Sequence, residues 1–256
     1  MKKSFEIKGK EFGKGNYWIC IPLVSKDIPT IVEDLNKIIE LNPDLIEWRV
    51  DFFEELQDLD KIIGVLNSIK ALTINIPVIF TCRDITEGGQ SNLNNDAKYR
   101  IFQEALNTGA IDFLDIEMMS GVDYIARVRN LIAQYDKKMI LSYHNFHKTP
   151  SKRFIVEKLM EGERLGGDIT KVALMPNKSN DVLKLLSATE KAWENIKIPM
   201  ITMSMGELGK VSRIWGSAFG SEVTFASMDQ ISAPGQINFR LLKELIEIIS
   251  KGGGKS

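Results

Sequence analysis

Cysteine and histidine are the scarcest chemistry-bearing residues in this chain of 256: two of each, Cys20 and Cys82, His144 and His147. The thiols sit in separate apolar runs without CxxC spacing. That argues against a disulfide framework or a cysteine-rich zinc site, and reads as two reduced, buried thiols of a cytosolic protein. Long hydrophobic runs are lacking too, since none approaches the roughly 18 apolar residues that a membrane-spanning helix requires. The opening MKKSFEIKGKEFGKGN has a basic lead but no apolar core or small-residue cleavage site, so no secretory leader is expected. Charge of one sign is missing as well: Lys plus Arg number 33 and Asp plus Glu 34. Nothing in bulk recruits nucleic acid or an anionic membrane, and an anionic small molecule would need a local cationic pocket.

What is present is an alternation. Eight strand-like runs occupy 17–24, 45–52, 76–83, 112–119, 138–146, 169–176, 198–206 and 222–228. Between them lie stretches with apolar residues three and four apart, such as Ile28, Ile31, Leu35, Ile38 and Ile39, or Ile237, Leu241, Leu242, Leu245, Ile248 and Ile249. The stretch after the seventh run is short and weak. Eight strand–helix units in a chain of this length predict an α/β fold, a closed (β/α)8 barrel. An open doubly wound sheet is the alternative, but it wants a glycine-rich first turn, and VSKD after the first strand is not one. The leading KSFEIKGKEFGKGN predicts a β-hairpin closing the barrel floor. The domain is expected as a single unit over 1–250. KGGGKS at 251–256 lacks the leading glycine and following helix of a phosphate-binding loop, and is expected as a flexible tail.

In a barrel, reacting groups collect at the C-terminal ends of strands, and alternate strand residues share a face. The second strand puts Glu47, Arg49 and Asp51 on one face and Trp48, Val50 and Phe52 on the other. Both faces of a barrel strand are covered, so inward charges must be paired or meet a ligand; a half-exposed strand with solvated charges is the rival reading. Arg83 ends the third strand, and Glu87 follows in a loop that Gly88 and Gly89 make mobile. Both could equally be partners in an exposed loop salt bridge. Asp115 and Glu117 read as carboxylates balancing nearby cations, without assigned chemistry. In the fifth strand Ile140, Ser142 and His144 share a parity, and His144 at the strand end suits general acid–base work. His147 reads as a surface or capping residue. The sixth strand, ITKVALMP, puts Lys171 with Ala173 and Met175. A lysine normally near about 10.4 can be pushed towards about 7–8 by burial or a cationic neighbour, and then attacks carbonyls. The rival reading is a lysine early in its strand, snorkelling to solvent at the floor. After the last two strands, Arg213, Ser232, Gly235 and Gln236 offer donors for a carboxylate.

The motifs IEWRVDFF, FTCRDITEGG, SYHNFHKTP, TKVALMP, MGELGKVSRIWGSAFGS and SAPGQ occur in that order at the strand ends. Together they resemble type I 3-dehydroquinate dehydratase over nearly the whole chain. The sequence departs at Asn145, where many relatives have Asp, and at Gln230 and Ile231, where smaller residues are common. The resemblance implies a hydro-lyase of the shikimate pathway. Lys171 would form a Schiff base with 3-dehydroquinate, His144 would move the proton, and Glu87 would orient His144. Arg213, Ser232 and Gln236 would hold the substrate carboxylate; Glu47, Arg49 and Arg83 would bind the ring hydroxyls. It further implies a cytoplasmic homodimer needing no metal or organic cofactor, and a SAPGQ loop that closes over substrate. A class I Schiff-base aldolase and a catalytically silent binding barrel are the competing functions. An aldolase of sugar phosphates would want a phosphate site after strands seven and eight.

Overall fold

A computed structural model describes residues 2–228 and 232–252. Gln230, Ile231 and the tail residues 253–256 lie outside the described residues. The element order is β1 (Phe5–Ile7), β2 (Lys10–Phe12), β3 (Trp18–Leu23), α1 (Ile28–Glu40), β4 (Leu45–Arg49), α2 (Leu59–Leu72), β5 (Val78–Thr81), α3 (Asn95–Thr108), β6 (Phe113–Glu117) and α4 (Val122–Ala133). It continues with β7 (Lys138–Asn145), α5 (Lys152–Arg164), β8 (Ile169–Leu174), α6 (Ser179–Asn195), β9 (Met200–Ser204), α7 (Gly206–Trp215), β10 (Val223–Ser227), β11 (Ile237–Asn238) and α8 (Phe239–Gly252).

Strands β3 to β9 pair in parallel in chain order, and β10 pairs back onto β3. The ring closes through a parallel bridge between Met200 and Ser221, where the Glu222 N–H donates to Met200 O at 2.9 Å. With no reversal of strand order there is no switch point, so the open doubly wound alternative falls and the (β/α)8 barrel stands. All eight expected barrel strands are present, trimmed at their C-terminal ends where the chain leaves the sheet in 3-10 turns at Val50–Phe52 and Met118–Ser120. Local capping sets several helix starts: Asp27, Asp58, Asn94 and Ser151 each accept a backbone N–H from the first turn. The Asp58 cap begins α2 at Leu59, leaving Leu56 in the loop. α7 is the shortest α-helix described, at ten residues. Ile237, expected in the last helix, instead pairs with Ala226 in β11, and α8 runs two residues into the expected tail.

The floor is the predicted hairpin. Lys8 and Gly9 both have positive φ (47° and 78°), the backbone a two-residue hairpin turn requires. Phe12 is fully buried, with its ring 5.2 Å from both Phe5 and Phe113. Above it, inward side chains from alternate strands stack in tiers of four, the usual filling of such a barrel. Leu45, Phe113, Ile169 and Val223 make the lowest tier, and Cys20, Ile79, Ile140 and Ile201 the next. The outward residues, Trp48, Val50 and Phe80 among them, form a separate core under the helices.

Candidate active site

The third tier changes character. It takes Glu47 from β4, Asp115 from β6, Lys171 from β8 and Phe225 from β10. Lys171 Nζ lies 3.0 Å from Asp115 Oδ2, 3.6 Å from Glu47 Oε1 and 4.5 Å from the Phe225 ring centre. Lys171 is 4% exposed, so the snorkelling alternative fails: strand tilt and two apolar tiers put a residue early in β8 well above the floor. Its close partners are carboxylates rather than the cationic neighbour that was one expected source of activation.

Charges above this tier are also buried and paired. Arg49 forms a two-pronged pair with Asp51, both contacts at 2.8 Å. Asp51 also accepts the backbone N–H groups of Arg83 and Gln90 at 3.1 Å. Arg83 donates to Asp115, Glu117 and Ser142 at 2.8, 3.2 and 2.8 Å. Glu47, Arg49, Asp51, Arg83 and Glu87 are all buried, which removes the solvated-strand and exposed-loop readings. Asp115 and Glu117 balance cations as the sequence suggested, Asp115 against Arg83 and Lys171 and Glu117 against Arg83; Ser142, given no role from sequence, bonds to both Arg83 and Asp115. Its shared inward parity with His144 was the available signal. Met203, Met205, Ala173, Phe146 and Phe225 form the apolar wall of the same pocket.

His144 Nδ1 is 2.9 Å from Glu87 Oε2, which also accepts the His144 backbone N–H at 2.9 Å. With Nδ1 engaged, Nε2 is the imidazole nitrogen left for the pocket. Burial, with Arg83 and Lys171 nearby, holds the His144 pKa well below its usual value, which favours the neutral base. Burial pushes Glu87 up to about 8. Glycines let this loop pack closely. Gly88 has φ +79°, and a Cβ there would meet the Phe146 ring at 2.2 Å; a Cβ on Gly89 would meet Arg83 O at 2.0 Å. His147 is exposed; its N–H, like that of Lys148, is capped by Asn145 Oδ1.

The raised Glu87 pKa has a consequence for stability. A carboxyl with a folded pKa above its unfolded value favours folding while protonated, and that contribution is lost as pH rises from about 4.5 towards about 8. Glu87→Gln cannot ionise. Its melting temperature is expected to fall less than the wild type's across that pH range, which parallel thermal melts measure.

Arg213 comes from α7, not from a strand. It is 1% exposed and donates to Phe225 O at 3.3 Å and Pro234 O at 3.2 Å. Among the described residues no carboxylate pairs with it, its Nε has no hydrogen-bond partner, and burial lowers its pKa. The segment 232–236 covers this side. Gln236 Oε1 accepts the Ser232 N–H at 2.8 Å, and Gln236 Nε2 donates to Ser232 Oγ at 2.9 Å. Gly206 N–H donates to Pro234 O at 3.0 Å. All nine predicted site residues, Glu47, Arg49, Arg83, Glu87, His144, Lys171, Arg213, Ser232 and Gln236, line this one pocket. Among the described residues no cluster of three or more His, Cys, Asp or Glu could hold a metal ion.

Comparison with known proteins gives the same motifs a context. The family model for type I 3-dehydroquinase matches residues 19–252. The 3-dehydroquinate dehydratase of Geobacillus thermodenitrificans is 43% identical over 251 residues, covering 98% of this chain and 97% of that protein. The crystal structure of 3-dehydroquinate dehydratase from Geobacillus kaustophilus superposes with a TM-score of 0.95 at 36% identity, covering 98% of this chain and 99% of that one. A type I 3-dehydroquinate dehydratase from Clostridium difficile, solved with covalently modified comenic acid, superposes with a TM-score of 0.94 at 36% identity, with the same coverage. Barrel, site motifs and relatives agree: the chain belongs to the type I 3-dehydroquinase family.

Proposed function

We propose that this chain is a 3-dehydroquinate dehydratase of the shikimate pathway, eliminating water from 3-dehydroquinate to give 3-dehydroshikimate through a Schiff base on Lys171. The Lys171 ammonium sheds a proton as its amine adds to the C3 ketone, and that proton returns as the carbinolamine loses water to leave an iminium. The iminium draws electrons from the C2–H bond. His144 Nε2 takes the C2 proton, leaving an enamine. The enamine electrons then expel the C1 hydroxyl as His144 returns the proton, so water departs. One base serving both steps gives a syn elimination. Water, again assisted by His144, releases the product and the amine. Glu87 orients the imidazole through Nδ1 and the backbone N–H.

The observation that carries the reading is Arg213, a buried guanidinium without an acidic partner among the described residues, in the same pocket as Lys171 and the His144–Glu87 pair. A buried cation of this kind calls for an anionic ligand, and its planar fork suits a carboxylate. Ser232 and Gln236 supply further donors to that carboxylate. Glu47 and Arg83 meet the ring hydroxyls, with the Arg49 Nη1 that stays outside the Asp51 fork. The neighbouring apolar wall and the 232–236 segment exclude water from the iminium.

The test is the rise of conjugated-enone absorbance when the protein meets 3-dehydroquinate; a flat trace from folded protein sinks the reading. Arg213→Ala is expected to raise KM by about 30-fold or more, the loss of one partner from a buried charge pair with substrate. Steady-state kinetics check it; an unchanged KM removes Arg213 from the carboxylate site. A homodimer in the cytoplasm completes the proposal. Exposed Leu208, Val211 and Trp215 on one stripe of α7 support self-association, and light scattering after gel filtration measures it.

A further inference from the structure

Asp115 has no part in the steps above, yet its side chain is fully buried and touches the reacting nitrogen. Its Oδ1 accepts from Arg83 at 2.8 Å and from Ser142 Oγ at 2.6 Å, and these two contacts fix the plane of the carboxylate. Its Oδ2 accepts from Lys171 Nζ at 3.0 Å. Arg83 and Lys171 hold the Asp115 pKa below the usual carboxylate range against the opposing effect of burial, so the group stays ionised.

We propose that Asp115 is the counter-ion of the Lys171 iminium and keeps that nitrogen protonated while it serves as electron sink. The proposal rests on the imine chemistry above. Starting from the ammonium, the C–N bond forms, and the ketone oxygen leaves as water with two of the three nitrogen protons. One N–H and the positive charge remain. The sum needs no proton from solvent. The surviving N–H belongs to the atom that already faces Asp115 Oδ2, so the ion pair present before substrate arrives also fits the intermediate. This is preorganised charge stabilisation: the carboxylate is oriented by Arg83 and Ser142 before the charge needs it. A neutral imine would withdraw electrons from C2 more weakly, and burial alone favours that neutral form.

The groups facing Lys171 come from each element around it. They are Asp115 and Glu47, the Cys20 thiol that burial keeps neutral, the His144 imidazole and the Phe225 ring. Glu47 is the other anion, but it lies 3.6 Å away and its Oε1 also accepts the Thr81 hydroxyl at 2.8 Å. Asp115 is therefore the better-placed partner.

Sodium cyanoborohydride distinguishes the two forms of the intermediate, since it reduces an iminium and spares a neutral imine. With 3-dehydroquinate, wild-type trapping at Lys171 is expected to stay flat from about pH 6 to about pH 9. In Asp115→Asn, trapping is expected to fall about tenfold per pH unit above neutrality, and turnover about 100-fold. A merely structural Asp115 would lower melting temperatures and leave the trapping profile unmoved. Flat trapping in a folded Asp115→Asn protein overturns the proposal. So does a wild-type profile that declines through neutrality, an outcome that needs no variant. Absence of any wild-type adduct overturns the imine reading, and the counter-ion with it; an adduct with the wrong pH profile overturns the counter-ion alone.

Discussion

Lys171→Met is expected to lower kcat by on the order of 10⁴-fold or more while the barrel remains folded. The expectation follows from the third tier. Among the described residues, Lys171 is the only primary amine lining the pocket, and without it the proposed covalent bond to the ketone carbon cannot form. No nearby side chain can take over: Arg49, Arg83 and Arg213 are guanidiniums, too weakly nucleophilic once protonated. Removing the ammonium also leaves Asp115 and Glu47 facing each other with a weaker balance of charge. Breaking a buried pair from one side costs about 3–5 kcal/mol, so a lowered melting temperature is expected too. Circular dichroism with thermal melts separates the two effects. A folded variant without activity supports the nucleophile; a folded variant that retains a tenth of wild-type turnover removes it.

His144→Ala should give the opposite split, with an adduct that still forms and turnover that fails. In the proposed mechanism the imidazole carries a proton both ways. Its Nδ1 is engaged by Glu87, and its pKa is held low by burial and by Arg83 and Lys171. A neutral imidazole can accept the C2 proton at neutral pH and, once protonated in this cationic setting, is a willing donor to the leaving hydroxyl. General acid–base catalysis contributes about 10²–10⁴-fold, and one group serving two transfers should approach the upper figure. Mass spectrometry of the protein after incubation with substrate is expected to show accumulated adduct, because imine formation precedes proton removal. Loss of both adduct and turnover would mean that His144 is needed already for carbinolamine collapse.

The barrel was legible because parallel strands buried on both faces read as uninterrupted apolar runs, and the helices between them keep a 3.6-residue period. The site was legible where strand parity works. Glu47 with Arg49, Ser142 with His144, and Lys171 with Ala173 all turn inward as their spacing indicates. Depth was not legible. Lys171 looks early in its strand, and only the tilt and register of the whole barrel lift it above two apolar tiers. Asp115 read as a carboxylate balancing cations, but which cations was not legible, because its partners Arg83, Ser142 and Lys171 come from elements 27 to 56 residues away. The loop glycines have a steric role that residue type alone does not show. Gly88 and Gly89 suggest mobility by type, whereas the lack of a Cβ lets the backbone pack against Phe146 and Arg83. Burial of Arg213 could not be read either, since α7 is amphipathic and a charged residue on it defaults to the solvent side.

Sodium borohydride added to the protein with 3-dehydroquinate, followed by digestion and peptide mass spectrometry, tests the central claim most directly. The prediction is a single reduced adduct on the peptide containing Lys171, absent without substrate and absent from Lys171→Met. An adduct on another lysine, or turnover without any trappable adduct, would contradict it.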